Sequence, residues 1–104
     1  MATSYLILRQ AQIYKLVNPL NDKIFYVGST RGPIKAALRR HISPNAKIYD
    51  SRKRDMVKSI LSKGKEPLIV VVEKCPIDQQ HEREKYWRYR LAKHNPLTNA
   101  CGIC

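Results

Sequence analysis

A glutamate on the last predicted helix is the residue whose surroundings say most about chemistry. Glu84 shares a helix face with Ile77, Trp87 and Leu91, at i, i+7, i+10 and i+14 counted from Ile77. A carboxylate among apolar side chains is costly to bury alone, so we expect Glu84 to meet a cation or a metal ion. An ion pair with Arg88 would satisfy it, and so would Mg²⁺, because oxygen ligands suit hard cations.

Two tyrosines, a glycine and a histidine accompany this carboxylate. Tyr14 and Tyr26 fall on neighbouring predicted strands, and His41 closes the apolar stripe of a predicted helix. Gly28 ends the second strand, where a glycine leaves room for close approach of a backbone or a ligand. Each of these residues alone is more typical of packing than of catalysis. Their order along the chain is what points to a site.

Net charge is the strongest global feature of the chain. Twenty Lys and Arg against eight Asp and Glu give +12 in 104 residues. Between Arg31 and Lys65 there are eleven basic and two acidic residues, so this stretch carries +9. Such clustering favours a polyanionic partner and phosphate contacts, although a ribosome-associated or membrane-edge protein would also have a basic surface. The predicted DNA contacts are Arg31, Lys35, Arg39, Arg40, Lys53 and Arg54.

The periodicity of apolar residues predicts six elements around these residues. Strands are expected at 12–17, 23–28 and 67–72, and helices at 33–42, 51–62 and 78–93, with a further strand at 5–8. The third strand is a continuous apolar run, which is typical of a buried strand, and Asp78 is the expected N-cap of the last helix. The order ββααβα predicts a single α+β domain, with a small antiparallel three-stranded sheet and helices packed around it.

Composition excludes several classes of protein. No apolar run approaches the roughly 20 residues of a membrane span, and the N-terminus lacks the features of a signal peptide, so we expect a cytoplasmic protein with no membrane partner. The three cysteines are Cys75, Cys101 and Cys104. The last two have the spacing of a zinc knuckle but lack two further ligands, which leaves free thiols, or a disulfide in the tail, as the favoured alternative.

The motifs together resemble the GIY-YIG nuclease domain. The segments that carry the resemblance are Ile13-Tyr14-Lys15, Phe25-Tyr26-Val27-Gly28-Ser29-Thr30, the basic helix ending in His41, Glu82-Arg83-Glu84-Lys85-Tyr86-Trp87, and Leu97-Thr98-Asn99-Ala100. They cover about 12–100, nearly the whole chain, in the family's order. Gln12 stands where the first motif has its glycine, a position at which the family varies.

The resemblance implies a role for each matching residue. Glu84 would bind the divalent metal, Mg²⁺ or Mn²⁺. Tyr14 and Tyr26 would line the site, with one of them activating or positioning the attacking water. His41 would assist as a base or phosphate ligand, Gly28 would shape the site, and Asn99 would hold the site together by hydrogen bonds.

One position departs from the family pattern in a way that bears on activity. The family arginine lies four residues before the histidine, and Ala37 stands there. Arginine at this place is expected to grip the scissile phosphate, which alanine cannot do. Two hypotheses follow: Ala37 replaces the arginine and leaves an impaired enzyme, or Arg40 supplies the missing charge.

The resemblance implies a metal-dependent DNA endonuclease that hydrolyses phosphodiester bonds, in a form impaired by Ala37. The alternative is a non-catalytic nucleic-acid-binding module on the same scaffold. The expected partner is duplex or branched DNA. Specificity would need a homodimer, a few loop residues or a partner protein, because so small a domain has little surface left for base contacts.

Overall fold

The computed structural model describes residues 10–43, 51–95 and 97–98. Their elements are β1 (Gln10–Asn18), β2 (Lys23–Thr30), α1 (Ile34–Ile42), α2 (Ser51–Ser62), β3 (Leu68–Pro76), a 3₁₀ turn (Ile77–Gln79) and α3 (Gln80–Ala92). The order confirms the α+β prediction with a three-stranded antiparallel sheet. The strand expected at 5–8 lies outside the described residues, as do Asn99, Cys101 and Cys104.

The first strand lies in the middle of the sheet, in the order β2-β1-β3. A short turn joins β1 to β2, and the Asn18 side chain stabilises it by accepting a hydrogen bond from the Leu20 amide at 2.9 Å. Asp22 in this turn has φ 60°, a left-handed conformation that Asp tolerates better than most residues. The hairpin pairs Tyr14 with Gly28, and this pairing brings the two tyrosine motifs together.

Helices cover both faces of the central strand, so β1 is buried on both sides. Tyr14 and Leu16 pack with Ala37 of α1 and Ile60 of α2 in one cluster. In the second cluster, Ala11 and Ile13 of β1 meet Trp87 and Leu91 of α3. Ile13 and Tyr14 are thus neighbours on opposite faces of the sheet. This is the ordinary alternation of a β-strand. The pairing of β1 with β3 also shifts register between these two residues.

The third strand differs from the prediction. It extends to Pro76, and it lies at an edge of the sheet instead of being enclosed. Leu68 and Val70 are 50% and 42% exposed. An apolar run alone cannot distinguish an enclosed strand from an edge strand, because strand order is set by long-range pairing.

The start of the last helix also differs from the prediction. Asp78 lies within the 3₁₀ turn, and α3 begins at Gln80. Its N-cap is Gln79, which makes no side-chain capping hydrogen bond. The predicted capping role of Asp78 is therefore wrong, because the chain makes one tighter turn before the α-helix forms.

A network between α3 and β3 holds the last helix in register. The Arg83 guanidinium donates to both oxygens of Glu73 at 2.8–3.0 Å, and Trp87 Nε1 donates to Glu73 Oε1 at 2.8 Å. These hydrogen bonds lower the pKa of Glu73, with Arg83 contributing most. The network anchors the helix turn that carries Glu84.

None of the helices in the described ranges combines the length and apolar character needed to cross a bilayer.

Candidate active site

A polar cavity of about 560 Å³ opens where β2 ends. The end of β2, the start of α3 and the Arg40 side chain of α1 enclose it. Its lining residues are Ser29, Thr30, Arg31, Gly32, Arg40, Ile77, Asp78, Gln80, His81 and Glu84. The cavity thus combines one predicted metal ligand with two arginines from the basic stretch.

Glu84 is held in this cavity by a chain of side-chain hydrogen bonds. Ser29 Oγ donates to Glu84 Oε1 at 2.5 Å, and Gln80 Nε2 donates to Ser29 Oγ at 2.7 Å. Arg31 Nε in turn donates to Gln80 Oε1 at 2.8 Å. Arg88 Nη1 lies 3.6 Å from Glu84 Oε2, so the ion pair considered from the sequence is present, though long. The carboxylate still lines the cavity, where it can accept a cation.

Arg40 reaches the cavity from the neighbouring helix. Its Nη2 lies 3.4 Å from Thr30 Oγ1, a weak hydrogen bond that places the guanidinium at the cavity wall. Arg31 lines the same cavity. Guanidinium groups bind phosphate oxygens in bidentate geometry, so two of them beside a carboxylate suit a phosphodiester with a bound cation.

Ala37, the position of the absent arginine, is fully buried. Its exposed fraction is 0%, and it packs in the same cluster as Tyr14 and Val57. Arg39 on the same helix is exposed to solvent and does not line the cavity. Of these three positions on α1, only Arg40 brings a positive charge to the cavity.

The two tyrosines and the histidine form a cluster beside the cavity, in which Tyr14 and His41 are buried and Tyr26 is half-buried. Tyr14 Oη and His41 Nε2 are 2.6 Å apart, and the Tyr26 ring meets the His41 ring edge-on with centroids 5.0 Å apart. Burial raises the pKa of Tyr14, and Tyr26 adds to this effect. Burial, then the charges of Lys53 and Arg40, lower the pKa of His41 to about 4. Both groups are therefore neutral at physiological pH.

Lys53 occupies a different place from the predicted one. The sequence assigns it to the DNA-contacting surface, but it is 8% exposed, with Nζ 3.0 Å from His41 Nδ1. This buried position does not fit a phosphate contact. The predicted DNA contact was based on the run of basic residues. Such a run does not reveal on which side of α2 each basic residue lies. Arg54, the next residue, is half-buried, while Lys35 is exposed.

Gly28 allows a close approach by the Tyr14 ring, whereas the sequence suggested a backbone or a ligand there, and it lies two residues before the end of β2. A Cβ at position 28 would lie 2.7 Å from Tyr14 Oη and 2.9 Å from Tyr26 Cε2. Atoms this close cannot coexist, so any side chain here would have to displace both rings. Glycine is required for the packing of the two tyrosines.

Gly28→Ala is therefore expected to lower the free energy of unfolding by about 1–3 kcal/mol, the usual cost of overpacking. Gly32→Ala is the matched control, since its Cβ would lie 4.0 Å from its nearest neighbour, Thr30 Oγ1, and should change stability little. Urea unfolding of the two variants measures the difference. Equal losses would contradict the close packing of Gly28 against the tyrosines.

The predicted site residues thus fall into two adjoining groups. Glu84, Arg31 and Arg40 meet in the cavity, whereas Tyr14, Tyr26 and His41 meet in the adjoining cluster. Asn99 lies outside the described residues. Ser29 and Gln80 surround Glu84 although the sequence did not predict them as its partners. Ser29 belongs to the motif at the end of the second strand, but nothing in the sequence indicated that it would reach α3.

The cavity offers few of the side chains that commonly bind a divalent metal. In the described ranges, no three His, Cys, Asp or Glu side chains cluster as a ready-made metal site. Mg²⁺, however, is commonly held by one or two carboxylates together with substrate phosphates and water. Glu84 fits that pattern as the single protein ligand. Cys75 is a buried free thiol in the second core cluster and does not line the cavity.

Comparisons of the chain with protein-family models, with curated proteins and with solved structures found no match. The likeness to the GIY-YIG domain rests on the motifs and on their order along the chain.

Proposed function

We propose that this protein is a metal-dependent DNA endonuclease of the GIY-YIG type, which hydrolyses phosphodiester bonds. The observation that carries the proposal is the cavity in which Glu84 faces Arg31 and Arg40. A carboxylate and two guanidiniums in one polar cleft of a +12 chain suit a phosphodiester and its cation.

Four side chains of the cavity have a part in this function. Glu84 would hold Mg²⁺ or Mn²⁺, and the bound metal would supply Lewis-acid polarisation of the phosphate. Ser29 orients the Glu84 carboxylate through its hydrogen bond. Arg31 and Arg40 bind the non-bridging oxygens and counter the charge that develops on them. The exposed Lys35 and Arg39 hold the flanking DNA backbone, which positions the duplex without specifying its sequence.

Arg40 is the substitute for the absent helix arginine in this proposal. It lies at the cavity, whereas Ala37 lies in the core. Because Arg40 comes from a different helix position and bonds only weakly to Thr30, its charge is less well preorganised than that of a fixed clamp. Activity is therefore expected to be reduced, by up to the roughly 10²–10³-fold that one preorganised donor is worth.

A non-catalytic binding module is the second candidate. Two observations favour it: position 37 provides no cation, and the Tyr14 hydroxyl is engaged with His41. Such a module would keep the basic surface and bind DNA without cutting it.

Nicking of supercoiled plasmid in Mg²⁺ or Mn²⁺ separates the two candidates. Arg40→Ala is expected to slow nicking about 10²-fold, the lower end of the range for one charge donor. Arg39→Ala removes the same charge from the adjacent, exposed position and should weaken binding only modestly.

Three outcomes of this assay are informative. Loss of nicking in Arg40→Ala alone supports the nuclease with Arg40 as its phosphate ligand. Equal nicking by both variants would rule out that role for Arg40. Binding without nicking by the unaltered chain, and by its Ala37→Arg variant in folded form, would favour the binding module.

A further inference from the structure

Three buried polar side chains from three different elements form a chain of contacts. Tyr14 of β1, His41 of α1 and Lys53 of α2 are 3%, 9% and 8% exposed. Tyr14 Oη is 2.6 Å from His41 Nε2, and His41 Nδ1 is 3.0 Å from Lys53 Nζ. Both ring nitrogens of His41 therefore have a partner.

The chemistry of Lys53 decides which way the hydrogen bonds run. An ammonium has three donors and no acceptor, so His41 Nδ1 has to accept from it. The Tyr26 ring makes a cation–π contact with this lysine, with its centroid 5.4 Å from Nζ. Since the lowered pKa of His41 keeps its ring neutral, its one proton must be on Nε2.

This tautomer has a direct consequence for Tyr14. His41 Nε2–H donates to the Tyr14 oxygen, and the hydroxyl proton of Tyr14 must point away from His41. Because Nε2 then carries a hydrogen, it has no lone pair available to accept a proton. His41 therefore cannot take a proton from Tyr14 or from a water on that side. With the opposite tautomer, Tyr14 would donate to His41, and the roles of the two residues would be exchanged.

We infer that Lys53 is a positioning residue: it fixes His41 in the Nε2–H tautomer and so makes His41 a donor to the hydroxyl of Tyr14. The tautomer stands independently of catalysis, and only its effect on cleavage rests on the proposed function. In this arrangement His41 directs its Nε2 proton at Tyr14. Tyr14 is the member of the pair whose own proton is directed elsewhere in the site.

NMR of the protein with nitrogen-labelled histidine tests the tautomer directly, because protonated and unprotonated ring nitrogens have distinct shifts. The expected result is protonation at Nε2 in the unaltered protein. Lys53→Met, which is one atom shorter, unbranched like lysine and without donors, should produce a substantial Nδ1–H population. Lys53→Arg keeps donors and should restore the Nε2–H form, while Lys58→Met, an exposed change on the same helix, should leave it unaltered.

Tyr14→Phe completes the test and decides it if Lys53→Met does not fold. If Lys53 sets the tautomer, His41 stays protonated at Nε2 without the tyrosine hydroxyl. An Nδ1–H ring in the unaltered protein, an unchanged tautomer in folded Lys53→Met, or a tautomer that changes in Tyr14→Phe would each overturn the inference.

Cleavage kinetics give a second readout that separates positioning from DNA contact. Lys53→Met should lower kcat about tenfold or more, in line with other groups that orient a functional histidine, and leave KM for DNA unchanged. A raised KM with unchanged kcat would instead restore Lys53 as a phosphate contact. If no variant cleaves DNA, the nuclease proposal fails while the NMR result still judges the tautomer.

Discussion

Glu84→Gln is expected to abolish metal-dependent nicking, with a loss of at least about 10³-fold. The amide keeps the size of the side chain and can still accept a hydrogen bond from Ser29. It removes the negative charge, however, which is what recruits a hard cation such as Mg²⁺. Glu84 is the single carboxylate that the proposed metal site uses. The proposed site therefore has no second carboxylate to bind the metal when Glu84 is replaced.

The matched control is Glu82→Gln, two residues earlier on the same helix. Glu82 is exposed and does not line the cavity, so the same change of charge there should leave nicking nearly intact. Titration with Mn²⁺, followed by the paramagnetic signal of the free ion, measures binding without relying on cleavage. Retention of Mn²⁺ binding in Glu84→Gln would remove Glu84 as the metal ligand.

Acidification is expected to destabilise the protein through His41. Burial lowers the pKa of His41 from its ordinary 6.5 to about 4, so the unfolded chain binds the proton more tightly than the folded one. Stability from this group is complete above pH 6.5 and is lost progressively as the pH falls toward 4. At 1.36 kcal/mol per pH unit, the full loss is about 3 kcal/mol.

Urea unfolding at several pH values measures this loss. His41→Gln should flatten the decline between pH 6.5 and 4, while His81→Gln, at an exposed position, should retain it. The pKa of Glu73 is also lowered, from its ordinary 4.5. Its contribution to the free energy of unfolding is lost only as the pH falls through that lowered value, so its effect belongs to a more acidic pH range. If the free energy of unfolding fell equally with pH in the two histidine variants, a buried neutral His41 would be contradicted.

Local patterns in the chain were sufficient for the elements and the fold class. The two strands around Tyr14 and Tyr26 and the helix ending at His41 follow from alternation and helical periodicity, which short-range contacts enforce. The same patterns indicated that Glu84 would face into the protein beside a cation, and Arg88 does lie 3.6 Å from it. Element ends were less accurate, since the turn before α3 depends on how β3 packs.

Individual side-chain partners depended on contacts between distant parts of the chain. Lys53 belongs to a run of basic residues that looks uniformly solvated, yet α2 packs so that this one lysine meets His41. Ser29 reaches Glu84 across 55 residues of sequence. No local pattern encodes such a pairing.

The α+β class, the basic character and the order of the tyrosine, histidine and glutamate motifs follow from the sequence alone. The packing of the elements places Ala37 in the core, Arg40 at the cavity and Lys53 beside His41. Periodicity specifies which residues share a face of an element. The environment of that face is set by the other elements that pack against it.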